Sequence, residues 1–103
     1  MDELAFADAS TLAAKIRAKD ISSVELLAHY VARMGRYNPE INAIVVTQLD
    51  KAQARAQAAD AALARGESWG PLHGVPMTVK ESYDIEGLAT TWGLQGNLLR
   101  CAW

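Results

Sequence analysis

The stretch from residue 48 to residue 65 is dense in alanine, and it constrains the fold more than any other part of this chain. Alanine loses no side-chain entropy in a helix, so a helix is predicted over 48–65, with Gly66 placed to terminate it. Leu49, Ala52, Ala56, Ala59 and Leu63 fall along one side. A face of such small residues permits close backbone approach but offers no deep side-chain core, so this helix is expected to lie flat on a sheet.

Two further helices precede it. Ser10 can cap one running to about Lys19, with Leu12, Ala13 and Ile16 forming an apolar stripe. Ser22 and Glu25 stand in capping-box register, and Ile21 and Leu26 are spaced as a hydrophobic staple, so a second helix starts at Ser22. Its apolar face continues through Leu27, Tyr30, Val31 and Met34. It is expected to end at Asn38 and Pro39, because the proline ring disfavours helix in the residue before it. Residues 41–46 are apolar and rich in β-branched side chains, which predicts a strand. A second strand is predicted over 77–81, after a loop punctuated by Gly70, Pro71, Gly74 and Pro76. The element order points to an α/β fold in which helices cover a small, incomplete mixed β-sheet.

Composition excludes several functions. Half of the 103 residues are apolar and 21% are charged, the make-up of one small globular domain. The net charge is −2 and no Lys/Arg cluster occurs, which argues against nucleic acid as a partner. No apolar run reaches the ~20 residues that cross a bilayer. Residues 1–10 lack the pattern of a signal peptide, so no membrane association and a cytoplasmic setting are expected. Cys101 is the single cysteine and reads as a stray thiol.

The side chains that invite chemistry each have a plain alternative. In a strand over 77–81 the faces alternate, placing Thr78 and Lys80 opposite Met77, Val79 and Glu81. Lys80 is then either a solvated edge-strand charge or a buried amine serving as base. His73 reads as a packing or loop-bonding residue, and His29 has no metal-ligand partner at useful spacing. Ser22, Ser23, Ser68 and Ser82 read as caps and turns, and Thr90 and Thr91 as loop-fixing residues. Trp69 and Trp92 read as core.

The run Gly70-Pro71-Leu72-His73-Gly74-Val75-Pro76-Met77-Thr78-Val79-Lys80-Glu81, continuing through Asp84, Gly87, Thr90, Thr91 and Gly93, resembles the amidase-signature family. Upstream, Ser22-Ser23-Val24-Glu25-Leu26, Arg33 and Asn38-Pro39-Glu40-Ile41-Asn42-Ala43 look like that family's N-terminal region, so the resemblance covers about residues 10–96. So many spaced positions carry more weight than a lone motif. The resemblance implies an amide hydrolase with a Ser, cis-Ser, Lys triad in which Lys80 is the catalytic lysine, and it implies no cofactor and no metal. The lysine takes a proton through the bridging cis-serine while the nucleophilic serine attacks the amide carbonyl.

Neither family serine has a counterpart here, so the chain is expected to be inactive alone, with a small-molecule amide as substrate of a full-length parent. The Lys80-Glu81-Ser82-Tyr83 continuation looks more like the general amidases than the transamidation enzymes. Residues 1–96 read as the N-terminal part of an amidase-signature domain and 97–103 as a divergent tail, as a truncated or frame-shifted gene would give. The competing expectation is a non-catalytic module for oligomerisation or for binding a partner, with exposed sheet edges inviting self-pairing.

Overall fold

In a computed structural model, which describes residues 2–89, a 3-10 helix at Asp2–Phe6 precedes α1 (Ala9–Arg17), α2 (Ser23–Ile41) and α3 (Leu49–Ala64). The first cap is Asp8 and not Ser10: the Asp8 carboxylate accepts the Thr11 N–H at 2.7 Å, reaching the third residue of the helix. Ser10 lies within α1. At the other end Lys19 takes a left-handed conformation at φ 61°. Its N–H donates to the Ile16 carbonyl and that of Asp20 to the Lys15 carbonyl, both at 2.9 Å, which makes a Schellman closure.

The capping box of α2 forms as its sequence dictates. The Glu25 N–H donates to Ser22 Oγ at 3.0 Å and the Ser22 N–H to Glu25 Oε1 at 3.3 Å. The staple residues Ile21 and Leu26 are both buried in one cluster with Leu12 and Ile16. Leu4, Ala7, Tyr30, Leu63 and Val75 pack around that cluster. The core therefore sits where α1, the start of α2 and the end of α3 converge.

α2 runs past the expected stop at Pro39 to Ile41. In the last turn the proline removes one backbone bond, while the Asn42 N–H still reaches the Asn38 carbonyl at 2.6 Å and closes the helix at φ 53°.

Both expected strands are absent, and the α/β reading is corrected: the described residues are helical and contain no β-strand or sheet. A strand is defined by pairing, and β-branched composition favours it only where a neighbouring strand supplies the ladder. Ile41 is helical. The backbone of Ile44 is satisfied by the Asn38 side chain instead, which donates to the Ile44 carbonyl and accepts the Ile44 N–H, each at 2.9 Å. Residues 75–80 run without a partner strand. α3, expected on a sheet, packs against α2. Its buried residues are Ala56, Ala59 and Ala62, whereas Leu49 is exposed.

Candidate functional site

The first backbone N–H groups of a helix have no partner within the helix, and at α2 the first two are claimed by α3. Asp60 Oδ1 accepts the Ser23 N–H at 2.7 Å and Oδ2 accepts the Val24 N–H at 3.1 Å. Together with the Ser22–Glu25 box, every orphan donor at this end is bonded. An anionic group here also meets the positive end of the helix dipole.

Ser23 is 2% exposed and uses its side chain as well. Its hydroxyl donates to the Gly74 carbonyl at 2.6 Å, so the expectation that it serves as a cap or turn residue is corrected. One residue bonds α3 through its backbone and the Gly/Pro-punctuated loop through its side chain. The approach demands glycine at 74. That residue lies at φ 78°, and a Cβ there would sit 3.2 Å from both Cβ and Oγ of Ser23.

His73 pins the same loop to α3. Its buried ring accepts the Trp69 N–H on Nδ1 at 3.0 Å, which assigns the ring proton to Nε2, and that nitrogen donates to the Ala59 carbonyl at 2.8 Å. The expected loop-bonding role is what the structure shows. Trp69, expected in the core, is instead 42% exposed, in tilted ring contact with His73 at 4.8 Å and covered by the Arg55 guanidinium at 4.0 Å. Ser82 lies in a turn, and Ser68 Oγ accepts the Gly70 N–H ahead of the turn at 71–74. His29 belongs to α2, and no group of three or more His, Cys, Asp or Glu side chains among the described residues is placed to hold a metal. Thr90, Thr91, Trp92, Gly93, Cys101 and the 97–103 tail lie outside the described residues.

From Gly74 the chain passes through Val75, which packs on the core, and Pro76, then runs to Lys80. Lys80 is exposed, and its carbonyl accepts the Tyr83 N–H at 3.0 Å in the turn that follows. It lines a broad groove of about 2100 Å³ with Met34, Ile41, Val46, Met77 and Val79. Ligand pockets span about 300–1,000 Å³ and enclose their ligand. This groove is wider and open, and Ile41, Val45, Val46, Met77 and Val79 all expose apolar side chains to it or beside it.

Sequence reasoning did not single out Asp60. The signal was present: a carboxylate four residues after Ala56 and three before Leu63, on the apolar side of the alanine helix.

The family profile described as Amidase matches residues 25–99. The chain is similar to the indoleacetamide hydrolase of Bradyrhizobium diazoefficiens, 44% identical over 85 residues, which cover 82% of this chain and 16% of that protein. It is similar also to a glutamyl-tRNA(Gln) amidotransferase subunit of Methylobacillus flagellatus, 43% identical over 82 residues, 80% of this chain and 16% of the relative. An amidase of Pseudomonas putida is 42% identical over 80 residues, 78% of this chain and 17% of its own length. The chain thus spans under a fifth of the curated relatives it matches.

Proposed function

Because this chain belongs to the amidase family, we propose that it is the N-terminal segment of an amide C–N hydrolase, contributing Lys80 as the proton-accepting member of a Ser, cis-Ser, Lys triad. Alone it is inactive. The substrate is a small-molecule amide, bound only when the remainder of an amidase polypeptide is present. A cytoplasmic setting belongs to the same reading. Among the described residues, no helix is long and apolar enough to cross a membrane.

The observation that carries this reading is the placement of Lys80 on an exposed segment beside an uncovered apolar groove. An ammonium becomes a base only when burial or a neighbouring cation disfavours its charge, so the amine needs a covering surface to act. The groove offers the apolar surface against which such a cover would pack. In the covered state the lysine accepts a proton through a bridging serine while a second serine attacks the amide carbonyl, and water then releases the acid from the acyl-enzyme.

The experiment mixes the purified chain with a polypeptide comprising the Bradyrhizobium indoleacetamide hydrolase beyond its matched portion, and assays hydrolysis of indoleacetamide. Turnover that requires both pieces and vanishes with Lys80→Ala supports the proposal. A stable complex of the two without turnover rejects it. The exposed apolar face also favours the second reading, a non-catalytic interaction module, but not through sheet edges, since the described residues form no sheet. A defined homo-oligomer in sedimentation, persisting when the complementing polypeptide is added, would support that alternative.

A further inference from the structure

Ser23 stands at a junction that the capping of α2 alone does not require. Its N–H is held by Asp60 at 2.7 Å and its hydroxyl holds the Gly74 carbonyl at 2.6 Å, so a side chain of α3 fixes where a side chain of α2 can grip the loop. The bond to Asp60 sets the position of the Ser23 backbone, and from that backbone the hydroxyl reaches the Gly74 carbonyl. On the far side, the His73 ring bonds the Ala59 carbonyl, one residue before Asp60 in α3. The loop is therefore gripped twice, at consecutive residues, from both helices.

Beyond Gly74 two features carry the constraint forward. Val75 packs against the core cluster, and Pro76 has its φ fixed by its ring. Lys80 is the sixth residue after Gly74, and 75–80 has no partner strand to steer it. The direction in which that segment leaves the helices is set at its root.

We propose that Ser23, oriented by Asp60, is a positioning residue for Lys80: its bond to the Gly74 carbonyl fixes the root of the segment that delivers the amine. This rests on the reading of Lys80 as the catalytic lysine. Two substitutions release the loop by different routes. Ser23→Ala removes the donor and leaves the Gly74 carbonyl without its partner, while Gly74→Ala places a methyl 3.2 Å from the Ser23 side chain at a φ of 78°.

The first measurement uses the full chain alone. In both variants ¹⁵N relaxation should show raised mobility and shifted amide signals over residues 74–80, with α2 beyond its first turn and α3 unchanged. Unaltered order and shifts over 74–80 would overturn the proposal, and so would a change spread evenly over both helices, which marks simple destabilisation. The second uses the complemented hydrolase and the acylation burst. Burst amplitude counts assembled sites and burst rate reports chemistry, so a merely structural role moves the amplitude alone. Displacing a reacting group by about 1 Å costs on the order of a hundredfold in rate, and a burst rate lowered toward that extent at full amplitude is expected. An unchanged burst rate would overturn the positioning role. If the wild-type mixture gives no burst, the catalytic reading of Lys80 falls, and the relaxation data still decide whether Ser23 sets the segment's root.

Discussion

The carboxylate of Asp60 caps a helix other than its own, accepting the Ser23 N–H at the start of α2 at 2.7 Å and the Val24 N–H beside it at 3.1 Å. A cap supplied from α3 makes the start of α2 depend on tertiary packing as well as on the local Ser22–Glu25 box.

Asp60→Ala should therefore cost more than an ordinary cap deletion. It leaves two part-buried donors without partners, and each unsatisfied group costs about 1–3 kcal/mol. A loss of about 3 kcal/mol is expected in urea denaturation, by a lower midpoint at unchanged slope. Asp60→Asn keeps one acceptor oxygen and should lose about half as much. A loss below about 1 kcal/mol for the alanine variant would mean that water replaces the carboxylate.

Asp8 makes the start of α1 sensitive to acid. Its bond from the Thr11 N–H, with no opposing burial of consequence, holds its carboxyl below the ordinary 3.8. A carboxylate whose folded pKa is depressed contributes stability above its unfolded pKa, and that contribution is lost as the pH falls through the folded value. The amides of the first turn of α1 should lose hydrogen-exchange protection as pH drops below about 4, ahead of those in α3. Asp8→Asn, which caps without titrating, should remove the difference between the two helices. Fraying of α1 at the same pH in both proteins would assign the effect elsewhere.

Lys19 occupies a left-handed position at φ 61°, where a side chain is strained and glycine is not. The residue is exposed, so its replacement leaves the core untouched. Lys19→Gly should raise stability by about 0.5–1 kcal/mol, the relief of strain outweighing the added freedom of the unfolded chain. A lower melting temperature would show that the lysine stem packs usefully on α1.

What could be read in the sequence was local. The Ser22–Glu25 box, the Ile21–Leu26 staple and the Gly66 stop each involve residues within a few positions, and each formed. What could not be read depends on distant partners. Residues 41–46 and 77–81 have strand composition, yet a strand needs a neighbour, and among the described residues none is offered. Ser23 shows the same limit in the site. Its sequence context is that of a cap residue, but its two partners lie 37 and 51 positions away, at Asp60 and Gly74. The Gly70–Lys80 run marked the family through its motif while giving no sign of which helices hold it.

His73 offers the sharpest separation between holding the loop and filling space. Its ring bonds the Trp69 N–H on one side and the Ala59 carbonyl on the other. His73→Leu keeps much of the buried volume but abandons both bonds, so the part-buried Trp69 N–H loses its acceptor. About 1–3 kcal/mol of stability should be lost. The indole signal of Trp69 should also shift, because its ring now lies against the imidazole in a tilted contact at 4.8 Å. His73→Gln, whose amide can accept from one side and donate to the other, should recover part of the stability without restoring the ring contact. If leucine proved as stable as histidine, burial alone would hold the loop to α3, and the two hydrogen bonds would be incidental to the grip on Gly74.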